Sequence, residues 1–145
     1  MKILVGVDNS KFSEESLRAI VAQIRPEGAQ VRILHVLQPI ALSAPPQMSS
    51  GYAPELEEQG KQARELVERA AKTLRAAGFT VDTAVEKGDT RERIIDSAAE
   101  WNVDLIIVGS HGRSDIRRLL LGSVAEFVAR HAACSVQIVR IPAKK

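Results

Sequence analysis

Five short apolar runs, the first four each followed by a longer segment of helical spacing, constrain this chain more than any other feature. "KILVGVD" (2–8) and "DLIIVG" (104–109) are apolar at almost every position. A strand with one wet face alternates apolar and polar residues, so these two read as strands covered on both sides, as in the middle of a parallel sheet. "QVRILHVL" (30–37) and "SVQIVRI" (135–141) are further strands. "FTVDTAVEKG" (79–88) alternates, which places it nearer an edge.

The intervening segments carry helix signals. Ser10 or Ser13 caps a helix with Leu17, Ile20, Val21 and Ile24 on one face, stopped by Pro26 and Gly28. Residues 55–78 form a long helix with Leu56, Ala63, Leu66, Val67, Ala70 and Leu74 on its apolar side and Gly78 as its stop. Its Glu57–Lys61, Glu65–Arg69 and Glu68–Lys72 pairs are spaced to meet on the wet face. Asp89, with Glu92 three residues on, opens a helix whose Ile94, Ile95, Ala98 and Trp101 face inward, Trp101 as a packing residue. A last helix begins near Gly122. Residues 38–54 hold four of the six prolines with serine and glycine, and read as a long, flexible connection inside one domain spanning 1–145.

Alternating strands and helices predict an open α/β fold: a parallel sheet, helices on both faces, right-handed crossovers. With 45% hydrophobic and 26% charged residues the chain is an ordinary globular protein. A net charge of +2 and 3% aromatic residues argue against nucleic acid as partner, because stacking platforms and basic stripes are both missing. One cysteine, Cys134, excludes an internal disulfide and fits a reducing compartment; between a helix and the last strand it reads as a buried, unreactive thiol. The first apolar run meets Asp8 too soon for a signal peptide or membrane span, so the expectation is a cytoplasmic protein.

Ligands of such sheets sit beyond the carboxyl ends of the strands, where strand order reverses. With the first strand central, that point lies between the first and fourth strands, which end at Asp8 and Gly109. The latter opens "GSHGRSDIRRLLLGS" (109–123). Gly109 and Gly112 let the backbone take positive φ and bring amide N–H groups close to an anion. Gly122 and Ser123 start a helix whose unpaired N–H groups and dipole attract phosphate. His111, Arg113, Arg117 and Arg118 make the intervening loop positive. Each part has a plainer reading: turn glycines, Ser123 as a helix cap, "IRRLLLG" as a packing helix, Asp8 as the cap of the helix after the first strand. Their conjunction at the reversal favours a polyphosphate site.

The spacing G-x2-G-x9-G-[ST] at Gly109, Gly112, Gly122 and Ser123 resembles the nucleotide-binding signature of the universal stress protein family. The likeness extends through "ILVGVDNS", "LHV", "EKGDTRERI", "DLIIVGSHGRS" and "LLLGSVAEFVARHAACSVQIVR". It implies a five-stranded parallel sheet ordered 3-2-1-4-5, Rossmann-like and similar to the adenine nucleotide alpha hydrolases. It also implies ATP as ligand, with or without Mg2+ or Mn2+, since members lacking the glycine motif generally bind no nucleotide. On matching positions, Val7, Asp8 and Val36 would bound adenine and ribose. Val108, Gly109, His111, Gly112, Arg113 and Ser114 would border ribose and phosphates, with Gly122, Ser123 and Val124 closing over the phosphates. A homodimer through the last strand, 135–141, is implied too. Gly6 and Ser135 stand where many relatives carry proline.

Functionally this predicts a nucleotide-responsive regulatory module of the stress response with an unidentified protein partner. The alternative is a slow ATPase or an adenylyl- or phosphoryl-transferring enzyme. No nucleophile and base are spaced to pair and no P-loop lysine motif is present, so dedicated catalysis is not indicated. His35 reads as a satisfied core or pocket-edge residue and His131 as a complement to a helix dipole; the histidines lack metal-ligand spacing.

Overall fold

The computed structural model describes residues 1–38, 53–112 and 120–141. Strands and helices alternate as β1 (Lys2–Gly6), α1 (Lys11–Gln23), β2 (Gln30–Leu37), α2 (Ala53–Ala76), β3 (Thr80–Lys87), α3 (Thr90–Trp101), β4 (Leu105–Gly109), α4 (Ser123–His131) and β5 (Ser135–Val139). All strands are parallel, in the order β3-β2-β1-β4-β5. β1 is central, with Ile3 registered against Val31 on one side and Leu105 on the other.

The reason β1 and β4 read as unbroken apolar runs is visible in the layering. Successive side chains of a strand point to opposite faces. Ile3, Val5, Ile33 and Ile107 join Ile20, Val67 and Leu74 in the core under α1 and α2. Leu4, Leu34, Ile106 and Val108 join Ile94 and Val128 under α3 and α4. Alternating β3 is an edge strand, as its pattern predicts.

Local signals place the helix ends. Ser10, of the two candidate serines, caps α1 by accepting from the Ser13 amide at 3.4 Å. Asp89 caps α3 by accepting from the amides of Arg91 (2.9 Å) and Glu92 (3.2 Å). Gly78 follows α2 at φ 96°, a left-handed conformation that suits a residue without Cβ.

Some expectations need correction. α2 starts at Ala53, inside the stretch read as connection; the rest of that stretch, from residue 39 to 52, lies outside the described residues. Leu56 and Val21 are exposed rather than inward, at 46% and 45%. Leu56 belongs to the first turns of α2, beside an open groove with Leu37 and Lys87, before the helix joins the core at Leu66 and Val67. Of the three pairs spaced on α2, none closes among the described residues; Glu68 pairs instead with Arg75, at 3.4 Å. Trp101 does pack against the α3/α4 core, and the Arg32 guanidinium, held by Asp82 at 2.8 and 3.1 Å, lies 4.3 Å from its ring centroid. No helix among the described residues is long and apolar enough to cross a membrane.

Candidate functional site

After β1 the chain crosses to β2 and β3 on one side, and later to β4 and β5 on the other. The connections leaving the carboxyl ends of β1 and β4 therefore diverge and leave a cleft between them. Its floor and walls are Gly6, Val7 and Asp8 after β1, Leu34 and Val36 of β2, Thr90 and Ile94 of α3, Val108, Gly109, His111 and Gly112 after β4, and Gly122, Val124 and Ala125 at α4.

One end of the cleft is apolar. Leu34, Val36, Ile94 and Val108 are all buried, and a flat hydrophobic ring placed against them would be largely dehydrated. The floor at Gly6 is tight: a Cβ there would sit 3.3 Å from Ile94 Cδ1. On the rim, Gln38 Nε2 donates to Thr90 Oγ1 at 3.2 Å.

Asp8 lines the cleft after β1. Its amide donates to Ser13 Oγ at 2.7 Å, and the same hydroxyl donates to its carboxylate at 3.0 Å. Because Ser10 caps α1, Asp8 does not have that role; Ser13, in the first turn, holds it at the cleft. Behind it, His35 donates from Nδ1 to the Val7 carbonyl at 2.8 Å, the satisfied pocket-edge residue its position suggested.

The other end is built from main chain. α4 has Gly122 as its N-cap with no side-chain cap, and the Glu126 amide closes the first turn on the Gly122 carbonyl at 2.9 Å. The Gly122 amide is taken by the Ser110 carbonyl at 2.8 Å. That leaves the amides of Ser123, Val124 and Ala125 without an acceptor among the described residues. With the helix dipole behind them, these donors favour an anion.

Two residues of the glycine motif do something other than expected. Gly109 does not have positive φ. A Cβ on it would lie 2.6 Å from Phe12 Cβ and 3.3 Å from the His111 carbonyl oxygen, so the glycine is required by the close approach of α1 to the end of β4. His111 is buried, with both ring nitrogens engaged by Ser110 Oγ and the Leu120 carbonyl. Arg113, Ser114, Arg117 and Arg118 lie outside the described residues.

Leu34, Thr90, Ile94, Ala125 and Ser13 also line the cleft, although the sequence alone did not mark them as site residues. Thr90 had a usable signal, as first residue of a helix capped by Asp89. For the apolar ones the signal is strand register, which only the fold supplies. Cys134 is half-buried, and burial pushes its thiol pKa up, away from reactivity. His131 closes α4 by contacting the Phe127 carbonyl at 2.9 Å. No group of three His, Cys, Asp or Glu is gathered for a metal among the described residues.

The model of the universal stress protein family matches residues 1–140. This chain belongs to that family. The universal stress protein YxiE of Bacillus subtilis is 31% identical over 145 residues, spanning 96% of this chain and 98% of its own. The solved structure of MJ0577, of Methanocaldococcus jannaschii, superposes with a TM-score of 0.88 at 28% identity, covering 99% of this chain and 97% of that one. A universal stress protein from Archaeoglobus fulgidus, solved in complex with dAMP, superposes with a TM-score of 0.71 at 25% identity over 96% of this chain and 97% of its own. The family fold agrees with the β3-β2-β1-β4-β5 sheet built above.

Proposed function

We propose that this chain binds an adenine nucleotide, ATP, in the cleft at the sheet reversal and acts as a nucleotide-responsive regulatory module. The observation that carries the reading is the conjunction of a buried apolar slot in the cleft with three amides at the start of α4 that have no acceptor among the described residues. Adenine would lie against Val7, Val36, Leu34 and Ile94, the ribose hydroxyls near Asp8, and the phosphates before Gly112, Val124 and Ala125 of the cleft lining and the amide of Ser123 that opens α4. The dAMP complex of the Archaeoglobus fulgidus relative supports the ligand class.

The decisive experiment is to purify the protein without added nucleotide, denature it, and identify what is released, with calorimetric titration of any empty fraction. An adenine nucleotide released or bound is expected. A protein that releases none and binds none in titration refutes the reading. Gly112→Val, which puts a branched side chain at the phosphate end, should lose the ligand and keep the fold. Turnover of labelled ATP beyond a few equivalents would make the protein an enzyme instead. Hydrogen exchange over 38–54 and 110–121, with and without ATP, tests the regulatory part. The proposal includes a homodimer through β5, supported by its position as an edge strand, since an open edge invites pairing. Sedimentation velocity checks it.

A further inference from the structure

His111 stands in the glycine-rich segment where a basic side chain invites interpretation as a phosphate contact. Its surroundings assign it different work. The residue is only 8% exposed. Nε2 lies 2.6 Å from the Leu120 carbonyl oxygen and Nδ1 lies 3.0 Å from Ser110 Oγ. A carbonyl oxygen only accepts, so Nε2 carries hydrogen and donates to Leu120; in the neutral ring Nδ1 then accepts from the Ser110 hydroxyl. Phe12, in the first turn of α1, covers one side of the imidazole, ring centroids 5.3 Å apart. A ring held this way has no donor left for a phosphate oxygen.

What it holds is the neck of the 110–122 segment. Leu120 lies two residues before the N-cap of α4. Alongside the His111 bond, the Gly122 amide donates to the Ser110 carbonyl at 2.8 Å, and the Ser110 amide donates to the Val139 carbonyl at 2.8 Å. Residues 110–111 are thus tied to 120–122 by one side-chain bond and one main-chain bond, and both are anchored to the end of β5. These ties set where the first turn of α4 begins relative to β4. The directions of the Ser123, Val124 and Ala125 amides follow from that starting point.

We propose that His111 is a positioning residue: through the Leu120 carbonyl it aims the first amides of α4 at an anionic group in the cleft. The proposal rests on the nucleotide reading above and names the residue on which its phosphate end depends. Hydrogen bonds from fixed amides weaken steeply with angle. Loosening the neck therefore weakens phosphate binding and leaves the apolar end, formed by Val36 and Ile94, as it is.

The test compares ATP with adenosine by calorimetry for the wild type, His111→Phe and His111→Gln. Phenylalanine keeps a ring beside Phe12 and removes both bonds; glutamine keeps an N–H able to reach Leu120. His111→Phe is expected to lose about tenfold in ATP affinity with adenosine changed by less than about twofold, and His111→Gln to recover most of the loss. An unchanged ATP-to-adenosine ratio in His111→Phe, or a glutamine variant no better than phenylalanine, overturns the proposal. A measurement on the unaltered protein keeps it testable if a variant fails to fold: imidazole nitrogen chemical shifts should report the Nε2–H form before and after ATP. A change to imidazolium or to Nδ1–H on adding ATP overturns it, because His111 would then be meeting the ligand. Failure of the nucleotide reading looks different: the wild type would bind neither ATP nor adenosine.

Discussion

Gly109→Ala separates two reasons for a glycine at the end of β4. If Gly109 serves the ligand, alanine weakens binding and leaves the unliganded protein as stable as before. The packing says otherwise. The new methyl would sit 2.6 Å from Phe12 Cβ, short of ordinary contact by about 0.8 Å, with Phe12 C at 3.4 Å and the His111 carbonyl oxygen at 3.3 Å. None of these is the loose end of a long side chain, so α1 or the end of β4 must move as a unit. Overpacking of this kind costs about 1 to 3 kcal/mol. Replacing glycine also restricts the unfolded chain, which returns about 0.4 to 1 kcal/mol. The net expectation is a loss of about 1 to 2 kcal/mol in ligand-free urea unfolding, at an unchanged m-value. Ser13 follows Phe12 and holds Asp8, so ATP affinity should fall as well. A variant within about 0.5 kcal/mol of wild type, with ATP binding alone impaired, would refute the packing argument.

Two further predictions concern single side chains. Ser13→Ala removes the acceptor of the Asp8 amide and the donor to its carboxylate; urea unfolding should show a loss of about 1 to 3 kcal/mol, and less than about 0.5 would count against this role. Asp89 is held below the usual carboxylate range by its hydrogen bond to Arg91 first and by the amides of Glu92 and Arg91. A depressed native pKa gives stability that is present above the unfolded value, near about 3.9, and lost as pH falls through the native one. Asp89→Asn keeps the cap without the charge, so wild type should exceed it by roughly 0.3 kcal/mol between about pH 5 and 8, closing in acid. A gap that widens in acid, measured by urea unfolding from pH 3 upward, would show that sign to be wrong.

Much of the architecture was legible because its causes are local or periodic. The unbroken apolar runs at 2–8 and 104–109 could only be satisfied between two helical layers, which made the first strand central, and the reversal beside it was what the family resemblance implied. Asp89 announced its helix through the acceptor it offers to the first amides. What escaped was set by tertiary approach. Nothing beside Gly109 in sequence reveals that Phe12, 97 positions earlier, presses on it. His111 finds one partner next door and the other nine residues on, and only the closed neck shows both nitrogens used. Leu34, Ile94 and Ala125 are ordinary apolar residues until register and helix phase turn them toward one cleft.

The cleft draws its walls from β1, β2, α3, β4 and α4, which together span nearly the whole chain. A molecule lodged there is a bolt through all of these parts, so none of β1, β2 and β4 can come apart while leaving the binding surface whole. Occupancy should consequently register in the global melting transition: ligand at a hundred times its dissociation constant adds about 2.7 kcal/mol to the entire fold. The protein's own heat resistance would then rise and fall with the supply of whatever fills the gap.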